Sequence, residues 1–99
     1  MLKSDNKVNT LDSNQSKWTI YIVRCADESL YTGITNDLER RLREHNDSST
    51  NSKGAKYTRA RQPVKLAYQE KAPDRASASR REYQIKQLSR TEKLKLCSN

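Results

Sequence analysis

The chain has 99 residues and a formal net charge of +8, and only 32% of its residues are hydrophobic. This length allows one domain with a modest core and excludes a second domain of ordinary size. No apolar run approaches the length of a membrane span or a signal core, and the two cysteines have no metal-ligand or disulfide spacing. We therefore expect a soluble cytoplasmic protein that does not contact a membrane.

The positive charge is concentrated in the predicted domain. From Lys17 onward the chain has 18 basic and 10 acidic residues. A compact domain this basic is typical of proteins that bind a polyanion such as nucleic acid. Solubility alone explains many basic proteins, so the charge by itself leaves both interpretations open.

The first predicted elements are an N-terminal arm and a β-hairpin. Residues 1–16 are polar and aperiodic, which is typical of a disordered arm, and we expect the folded domain over residues 17–97. The segment WTIYIVRC, residues 18–25, is apolar on both faces and rich in aromatic and β-branched residues, so it predicts a central strand. After the turn ADES, the segment LYTGIT, residues 30–35, predicts the second strand.

A helix, a loop and a third strand are predicted next. The segment NDLERRLREHN has helical periodicity, and Asn36 with Glu39 forms a predicted capping box at its start. Residues 47–63 show neither a helical nor a strand period, so we expect them to be mostly loop. The segment VKLAY, residues 64–68, alternates between apolar and other residues and predicts a third strand.

Two further helices complete the predicted domain. Asp74 is the expected N-cap of a helix in the segment DRASASRREYQIKQL, and Ser89 with Glu92 predicts a capping box for the last helix. This order of elements predicts an α+β fold, in which a small three-stranded antiparallel sheet is flanked by helices.

The register of the hairpin decides whether Tyr21 and Tyr31 lie on the same face of the sheet. A two-residue turn at Asp27 and Glu28 would place the two tyrosines on opposite faces, whereas a three-residue turn or a bulge would place them on the same face. A site that uses both hydroxyls requires the second arrangement. The alternative interpretation is that both rings simply fill the sheet.

The first helix places two polar residues among its apolar positions. Leu38, Arg41, Leu42 and His45 fall on one side of the helix. Arg41 could present its forked donors to a phosphate, or it could pair with Asp37 one turn earlier. His45 is either a helix-end residue that interacts with the helix dipole or a catalytic group.

The later helix carries a carboxylate near its apolar stripe. Glu82 shares this stripe with Ala78, Ile85 and Leu88, so it faces the core or its border. An unpaired carboxylate is costly there and should have a cation nearby. Lys86 is that cation in the structural interpretation, and a divalent metal ion is the functional alternative, because Mg²⁺ often accepts one carboxylate together with waters and phosphate oxygens.

The predicted loop carries only basic charges after its first residue, since no acidic residue lies between Asp47 and Glu70. A flexible basic segment can follow a phosphate backbone, although a solvated loop that serves only solubility would look similar. The candidate nucleic-acid-binding residues of this segment are Lys53, Lys56, Tyr57, Arg59 and Arg61.

Taken together, these residues resemble the GIY-YIG nuclease superfamily, and in particular its small stand-alone bacterial members. The resemblance covers the chain from about Trp18 to Leu96, with TIY and YTG in place of the two signature elements. Thr19 and Thr32 depart from the usual residues, but neither position supplies a side chain that performs chemistry in the family. The polar positions that match are, in chain order, Tyr21, Tyr31, Arg41, His45 and Glu82.

The resemblance implies a GIY-YIG fold with both tyrosines on one face, and metal-dependent hydrolysis of phosphodiester bonds. Tyr21 or Tyr31 would activate the attacking water, and we favour Tyr21. Arg41 would bind the scissile phosphate, and His45 would orient a tyrosine or relay a proton. Glu82 would hold one divalent ion, Mg²⁺ or Mn²⁺.

The implied substrate is DNA, including structured or damaged DNA in repair or recombination. Many relatives are catalytic cassettes attached to separate DNA-binding domains, so a separate DNA-targeting protein is an expected partner. The alternative function is a nucleic-acid-binding module with little or no catalytic activity.

Overall fold

The computed structural model describes residues 18–49 and 53–98, so the expected arm over residues 1–16 lies outside the described residues. Three strands form one antiparallel sheet in the order β2-β1-β3. The strands are β1 (Trp18–Arg24), β2 (Leu30–Thr35) and β3 (Lys65–Ala72). The α+β fold and the central position of β1 are as predicted.

Helices cover both faces of this sheet. They are α1 (Leu38–His45), α2 (Lys56–Arg59), α3 (Arg75–Lys86) and α4 (Arg90–Ser98). No helix in the described part of the chain is long and apolar enough to cross a membrane.

Alternation along β1 sends its side chains into two separate cores. Ile20 and Ile22 pack with residues of α3 on one face, while Tyr21 and Val23 pack beneath α1 on the other. Both sets are buried, which explains why the sequence of β1 is apolar at successive positions rather than at every second one.

The hairpin turn has three residues, and this odd length sets the register. Glu28 has a positive φ of 71°, and the Cys25 N–H donates to the Ser29 carbonyl at 2.9 Å. Tyr21 lies opposite Gly33, and Val23 lies opposite Tyr31. Tyr21 and Tyr31 are therefore on the same face of the sheet, as the family resemblance implied.

The predicted capping box at the start of α1 is wrong by one residue. Asp37, not Asn36, is the N-cap, and its carboxylate accepts from the Arg40 N–H at 3.1 Å. The Thr35 hydroxyl accepts from the Asp37 N–H at 3.0 Å, which fixes the chain at the end of β2 so that the helix starts at Leu38. Asn36 instead accepts from the Arg40 guanidinium at 3.4 Å.

The two later helices begin as predicted. The Asp74 carboxylate accepts from the Ser77 N–H at 2.7 Å. Ser89 and Glu92 form the reciprocal capping box, with bonds of 2.8 and 3.1 Å between each side chain and the other residue's N–H.

The segment predicted to be loop contains the short helix α2, and β3 extends four residues past the predicted end at residue 68. One helical turn is too short to show a 3.6-residue period, which is why the sequence pattern did not reveal α2. The additional residues of β3 are mostly polar because β3 is an edge strand, and its backbone pairing with β1 holds them in place.

Candidate active site

The site is built around Tyr21, whose ring lies against the backbone of Gly33 on the edge strand β2. A Cβ atom at Gly33 would lie 2.6 Å from the Tyr21 hydroxyl oxygen and 2.8 Å from its Cζ. Any side chain at this position would therefore displace the ring. The glycine in the YTG element is explained by this close approach of ring to backbone.

The Tyr21 hydroxyl is hydrogen-bonded to His45 at the end of α1. The Tyr21 Oη and His45 Nε2 are 2.7 Å apart, and His45 Nδ1 is 2.8 Å from the Thr58 Oγ1 of α2. Tyr21 exposes 1% of its surface, and the other two residues expose none. His45 is thus part of a buried chain of three polar groups rather than a helix-end residue facing water.

Tyr31 also packs against the His45 ring. The two rings meet edge to face with centroids 5.3 Å apart, and Tyr31 also stacks on Tyr57 at 5.9 Å. The first helix and the hairpin thus bring both tyrosines and the histidine into one cluster.

Arg41 approaches this cluster from α1 and keeps 23% of its side chain exposed. Its Nη1 donates to the Glu44 carboxylate and to the Lys53 carbonyl, both at 2.8 Å. The predicted alternative pairing with Asp37 is therefore wrong, because Glu44 on the next helical turn supplies the carboxylate. These two bonds hold the guanidinium in place at the border between core and solvent.

The protonation states of the cluster follow from burial and from Arg41. Burial raises the pKa of Tyr21 to about 12, opposed by the nearby Arg41 guanidinium, while Tyr31 and Glu82 add to the increase. Burial, and then Arg41, lower the pKa of His45 to about 4. At neutral pH the pair is therefore a neutral phenol beside a neutral imidazole.

The pKa of Arg41 itself is also shifted. Burial alone would lower it, but Glu44 and the Tyr21 hydroxyl outweigh that effect and raise the pKa above its ordinary value. The guanidinium therefore keeps its positive charge even though it is partly buried.

Glu82 projects from α3 with 23% of its side chain exposed, and its Oε2 lies 3.2 Å from the Lys86 Nζ. Lys86 is thus the cation beside Glu82, as the structural interpretation predicted. The negative charge of the Glu82 carboxylate is also the smallest of the causes that raise the pKa of Tyr21. Glu82 therefore belongs to the same electrostatic environment as the tyrosine cluster.

Glu82 is the carboxylate that the family resemblance assigns to a metal ion at this site. Among residues 18–49 and 53–98 there is no group of three or more His, Cys, Asp or Glu side chains that could hold a metal. This donor set is unsuited to zinc, but it fits Mg²⁺ or Mn²⁺, which commonly keep waters and take phosphate oxygens beside one or two carboxylates.

A cleft of about 300 Å³ opens beside Arg41. The Arg75 guanidinium lies 5.6 Å above the Trp18 ring at this cleft. The sequence patterns did not indicate Trp18 and Arg75 as parts of a site, because each lies at the start of its own element and only the fold brings them together. The residues that line the cleft are Trp18, Ile34, Thr35, Asn36, Arg40, Arg41, Glu44 and Arg75.

The basic segment lies beside the cluster, and its members differ in their surroundings. Lys53, Lys56 and Arg59 are exposed. Tyr57 exposes 38% of its surface next to Tyr31. The Arg61 Nε instead donates to the Asp27 carboxylate at 3.0 Å, and its guanidinium lies 3.9 Å from the centre of the Tyr57 ring. Arg61 thereby ties the end of α2 to the hairpin turn.

The fold and this cluster define a class of protein. Residues 17–95 match the family model described as the GIY-YIG catalytic domain, and the chain belongs to the GIY-YIG family. The sequence resemblance is thereby confirmed over nearly the whole described domain.

Within that family the chain is similar to proteins named UPF0213. It is 52% identical over 88 residues to one from Desulfotalea psychrophila, covering 89% of this chain and 77% of that protein. It is 52% identical over 82 residues to one from Staphylococcus saprophyticus, covering 83% and 95%. The solution NMR structure of a UPF0213 protein from Bacillus halodurans matches with a TM-score of 0.51 at 43% identity, covering 82% of each chain.

Proposed function

We propose that this protein is a metal-dependent endonuclease that hydrolyses phosphodiester bonds in DNA. The observation that carries the proposal is the buried hydrogen bond of 2.7 Å between Tyr21 and His45, placed within the electrostatic reach of both Arg41 and Glu82. A purely structural sheet would not require a buried imidazole beside a phenol and a guanidinium. The catalytic residues in this proposal are Tyr21, Tyr31, Arg41 and His45.

Tyr21 acts as a proton relay rather than as a resting base. With a pKa of about 12 it holds its proton at neutral pH. Its oxygen accepts a proton from the attacking water while its own O–H bond breaks and that proton moves to His45 Nε2, 2.7 Å away. The water becomes the nucleophile, and the proton it loses is balanced by the one that His45 gains.

Arg41 couples substrate binding to this transfer. Its partly exposed guanidinium offers donors to the scissile phosphate and offsets the charge that develops there. The same guanidinium lowers the pKa of His45 in the free protein. A bound phosphate neutralises this positive charge, so His45 becomes a better proton acceptor when substrate is present.

Glu82 is the residue that would hold the one Mg²⁺ or Mn²⁺ ion. The ion, when bound, stabilises the negative charge on the leaving oxygen. Lys86 is half-exposed and pairs with Glu82 on the surface, so little stability depends on that pair and the carboxylate is accessible.

Lys53, Lys56, Tyr57, Arg59 and Arg61 form the proposed DNA-binding surface. Lysine and arginine side chains contact the backbone without reading the sequence, so binding by this domain is weak and strongly dependent on salt. We infer that a separate DNA-targeting protein supplies selectivity, and that structured or damaged DNA in repair or recombination is the substrate.

A cleavage screen tests the proposal. The protein is incubated with supercoiled, linear, branched and single-stranded DNA, and with RNA, in Mg²⁺ or Mn²⁺. We expect metal-dependent cutting of DNA that is lost in Glu82→Ala and in Arg41→Ala, and retained in Glu39→Ala, which changes an exposed glutamate of α1. Cutting that survives both site substitutions would point to a contaminating nuclease. If the protein slows the nucleic acid in a gel without cutting it, and Glu82→Ala does so equally, the protein is instead a nucleic-acid-binding module.

A further inference from the structure

Thr58 is a fully buried threonine in the middle of the basic segment, and the nuclease chemistry described above does not use it. Its Oγ1 lies 2.8 Å from His45 Nδ1 and 3.0 Å from the Ala55 carbonyl oxygen. These two contacts restrict where the hydrogens of His45 lie.

The number of hydrogens that these groups can donate fixes the direction of each hydrogen bond. The Ala55 carbonyl only accepts, and the Thr58 hydroxyl has a single hydrogen, so that hydrogen points to Ala55. Thr58 Oγ1 then accepts from His45 Nδ1–H, which leaves His45 Nε2 without a hydrogen. The Tyr21 hydroxyl therefore donates to Nε2 across 2.7 Å.

The other tautomer satisfies fewer of these contacts. If His45 carried its hydrogen on Nε2, Thr58 would have to donate to Nδ1. The 3.0 Å contact between Thr58 Oγ1 and the Ala55 oxygen would then hold two acceptors with no hydrogen between them.

The side chains of Gln62 and Asn46 fix the segment around Thr58 relative to α1. The Gln62 side chain donates to the His45 carbonyl at 2.8 Å, and Asn46 exchanges two hydrogen bonds with the Val64 backbone at 2.7 and 3.1 Å. These bonds join the end of α1 to the segment that follows α2, and they thereby fix the position of Thr58 relative to His45.

We propose that Thr58 is a positioning residue that holds His45 in its Nδ1–H tautomer and so keeps Nε2 ready to take the Tyr21 proton. The catalytic consequence rests on the proposed nuclease function, whereas the tautomer does not. In the opposite tautomer Nε2–H would donate to the Tyr21 oxygen, and the relay from water to His45 would have no acceptor.

The experiment uses the fact that His45 is the single histidine of the chain. Long-range ¹⁵N–¹H NMR spectra of the ¹⁵N-labelled protein at neutral pH distinguish a protonated Nδ1 from a protonated Nε2. We expect Nδ1–H in the wild type and in Thr58→Ser, which keeps the hydroxyl. In Thr58→Val, which keeps the shape, we expect a shift to Nε2–H with the amide spectrum otherwise preserved.

Kinetics supply the second readout. We expect Thr58→Val to lower kcat for DNA cleavage by about 100-fold with little change in KM, and Thr58→Ser to retain most of the rate. An Nε2–H tautomer in the wild type, or an Nδ1–H tautomer that persists in Thr58→Val, would overturn the inference. A changed tautomer with unchanged kcat would overturn the catalytic part of it. If the wild type does not cleave DNA at all, the nuclease proposal fails, and the NMR result still decides the tautomer.

Discussion

Gly33 lies directly opposite Tyr21 across the hairpin, and the Tyr21 ring occupies the space where a Cβ of residue 33 would be. The glycine therefore determines the position of the hydroxyl that we assign to proton relay. Because the blocking atoms belong to the rigid phenol of a buried tyrosine, an added methyl group cannot be accommodated without moving the ring.

Gly33→Ala should displace the Tyr21 hydroxyl from His45. A misplacement of this kind in a reacting group costs on the order of 100-fold in cleavage rate, and overpacking costs about 1–3 kcal/mol of stability. The stability cost is measured by urea unfolding in the wild type and in Tyr21→Val, which removes the ring. In the Tyr21→Val background Gly33→Ala should no longer destabilise, and an equal cost in both backgrounds would contradict the steric explanation.

His45 should make the protein less stable as the pH falls from 7 to 5. Its pKa is about 4 in the folded protein and about 6.5 in an unfolded chain, so the unfolded state binds the proton first. The stability that neutral His45 contributes is fully present above its unfolded-state pKa and is lost progressively as the pH falls toward 4. The loss between pH 7 and 5 is about 2 kcal/mol.

Urea unfolding at several pH values measures this dependence, and His45→Gln is the control because glutamine does not titrate. The loss between pH 7 and 5 should be absent from this variant. Carboxylates whose pKa is lowered in the folded protein, such as Glu70 and Asp74, change the stability at a lower pH than His45 does, because carboxylates of unfolded chains titrate near pH 4. A loss of the same size in His45→Gln would show that other groups cause it.

Arg41→Lys should impair the chemical step far more than the fold. Lysine retains the charge, but an ammonium that bonds Glu44 and the Lys53 carbonyl has a single N–H left, whereas Arg41 makes both bonds from Nη1 and keeps the donors of Nε and Nη2 for a phosphate. We expect a loss of roughly 100-fold in single-turnover cleavage, as for removal of one donor from a developing anion. Arg43→Lys is the matched control, since Arg43 is an exposed arginine of the same helix that lies outside the cleft beside Arg41. Equal losses in both variants would argue against a specific role for Arg41.

Lys53 and Lys56 should each contribute to the salt dependence of DNA binding. Substitution of either by alanine should reduce the slope of log K against log salt concentration by about 0.9 for duplex DNA, because one fewer phosphate is neutralised. Fluorescence anisotropy over a range of salt concentrations measures this slope. Lys95→Ala, an exposed change on α4, should leave it unaltered. A slope that responds equally to all three variants would indicate diffuse charge rather than a defined surface.

Asp37, and not its neighbour Asn36, should stabilise the start of α1. Asp37→Ala should cost about 1 kcal/mol of stability because the Arg40 N–H loses its acceptor. Asn36→Ala should cost much less, since within the part of the chain that the structure describes the Asn36 side chain is hydrogen-bonded only to the exposed Arg40 guanidinium. Thermal unfolding of the two variants under the same conditions measures the difference, and the reverse order would restore Asn36 as the cap.

Much of the fold could be predicted because its determinants are local. The apolar pattern of β1, the bounds of β2 and the capping groups of α3 and α4 depend on residues within a few positions of one another. Predictions were wrong where two local signals competed or where an element was too short. Asn36 and Asp37 are both good N-caps, and Thr35 decided between them through the end of β2. The single turn of α2 has no periodicity to detect.

Some residues of the candidate site could likewise be predicted from the sequence, and others could not. The residue types at Tyr21, Arg41, His45 and Glu82 could be chosen from the sequence, since each is a polar group at an apolar position or a match to a family element. Thr58 could not, because a threonine within a basic run carries no distinctive signal, and its contact with His45 spans 13 residues.

The amino-acid sequence by itself determined most of the elements of this protein, its charge and the chemical groups available to it, because propensity, capping and hydrophobic alternation act over short distances along the chain. Only the tertiary structure decided how those groups meet. A three-residue turn placed both tyrosines on one face, and packing of α1 and α2 against the sheet buried a hydrogen-bonded chain whose members lie 24 and 13 residues apart. Hydrogen-bond direction and pKa depend on burial and on the partners at each atom, which exist only once the chain has folded.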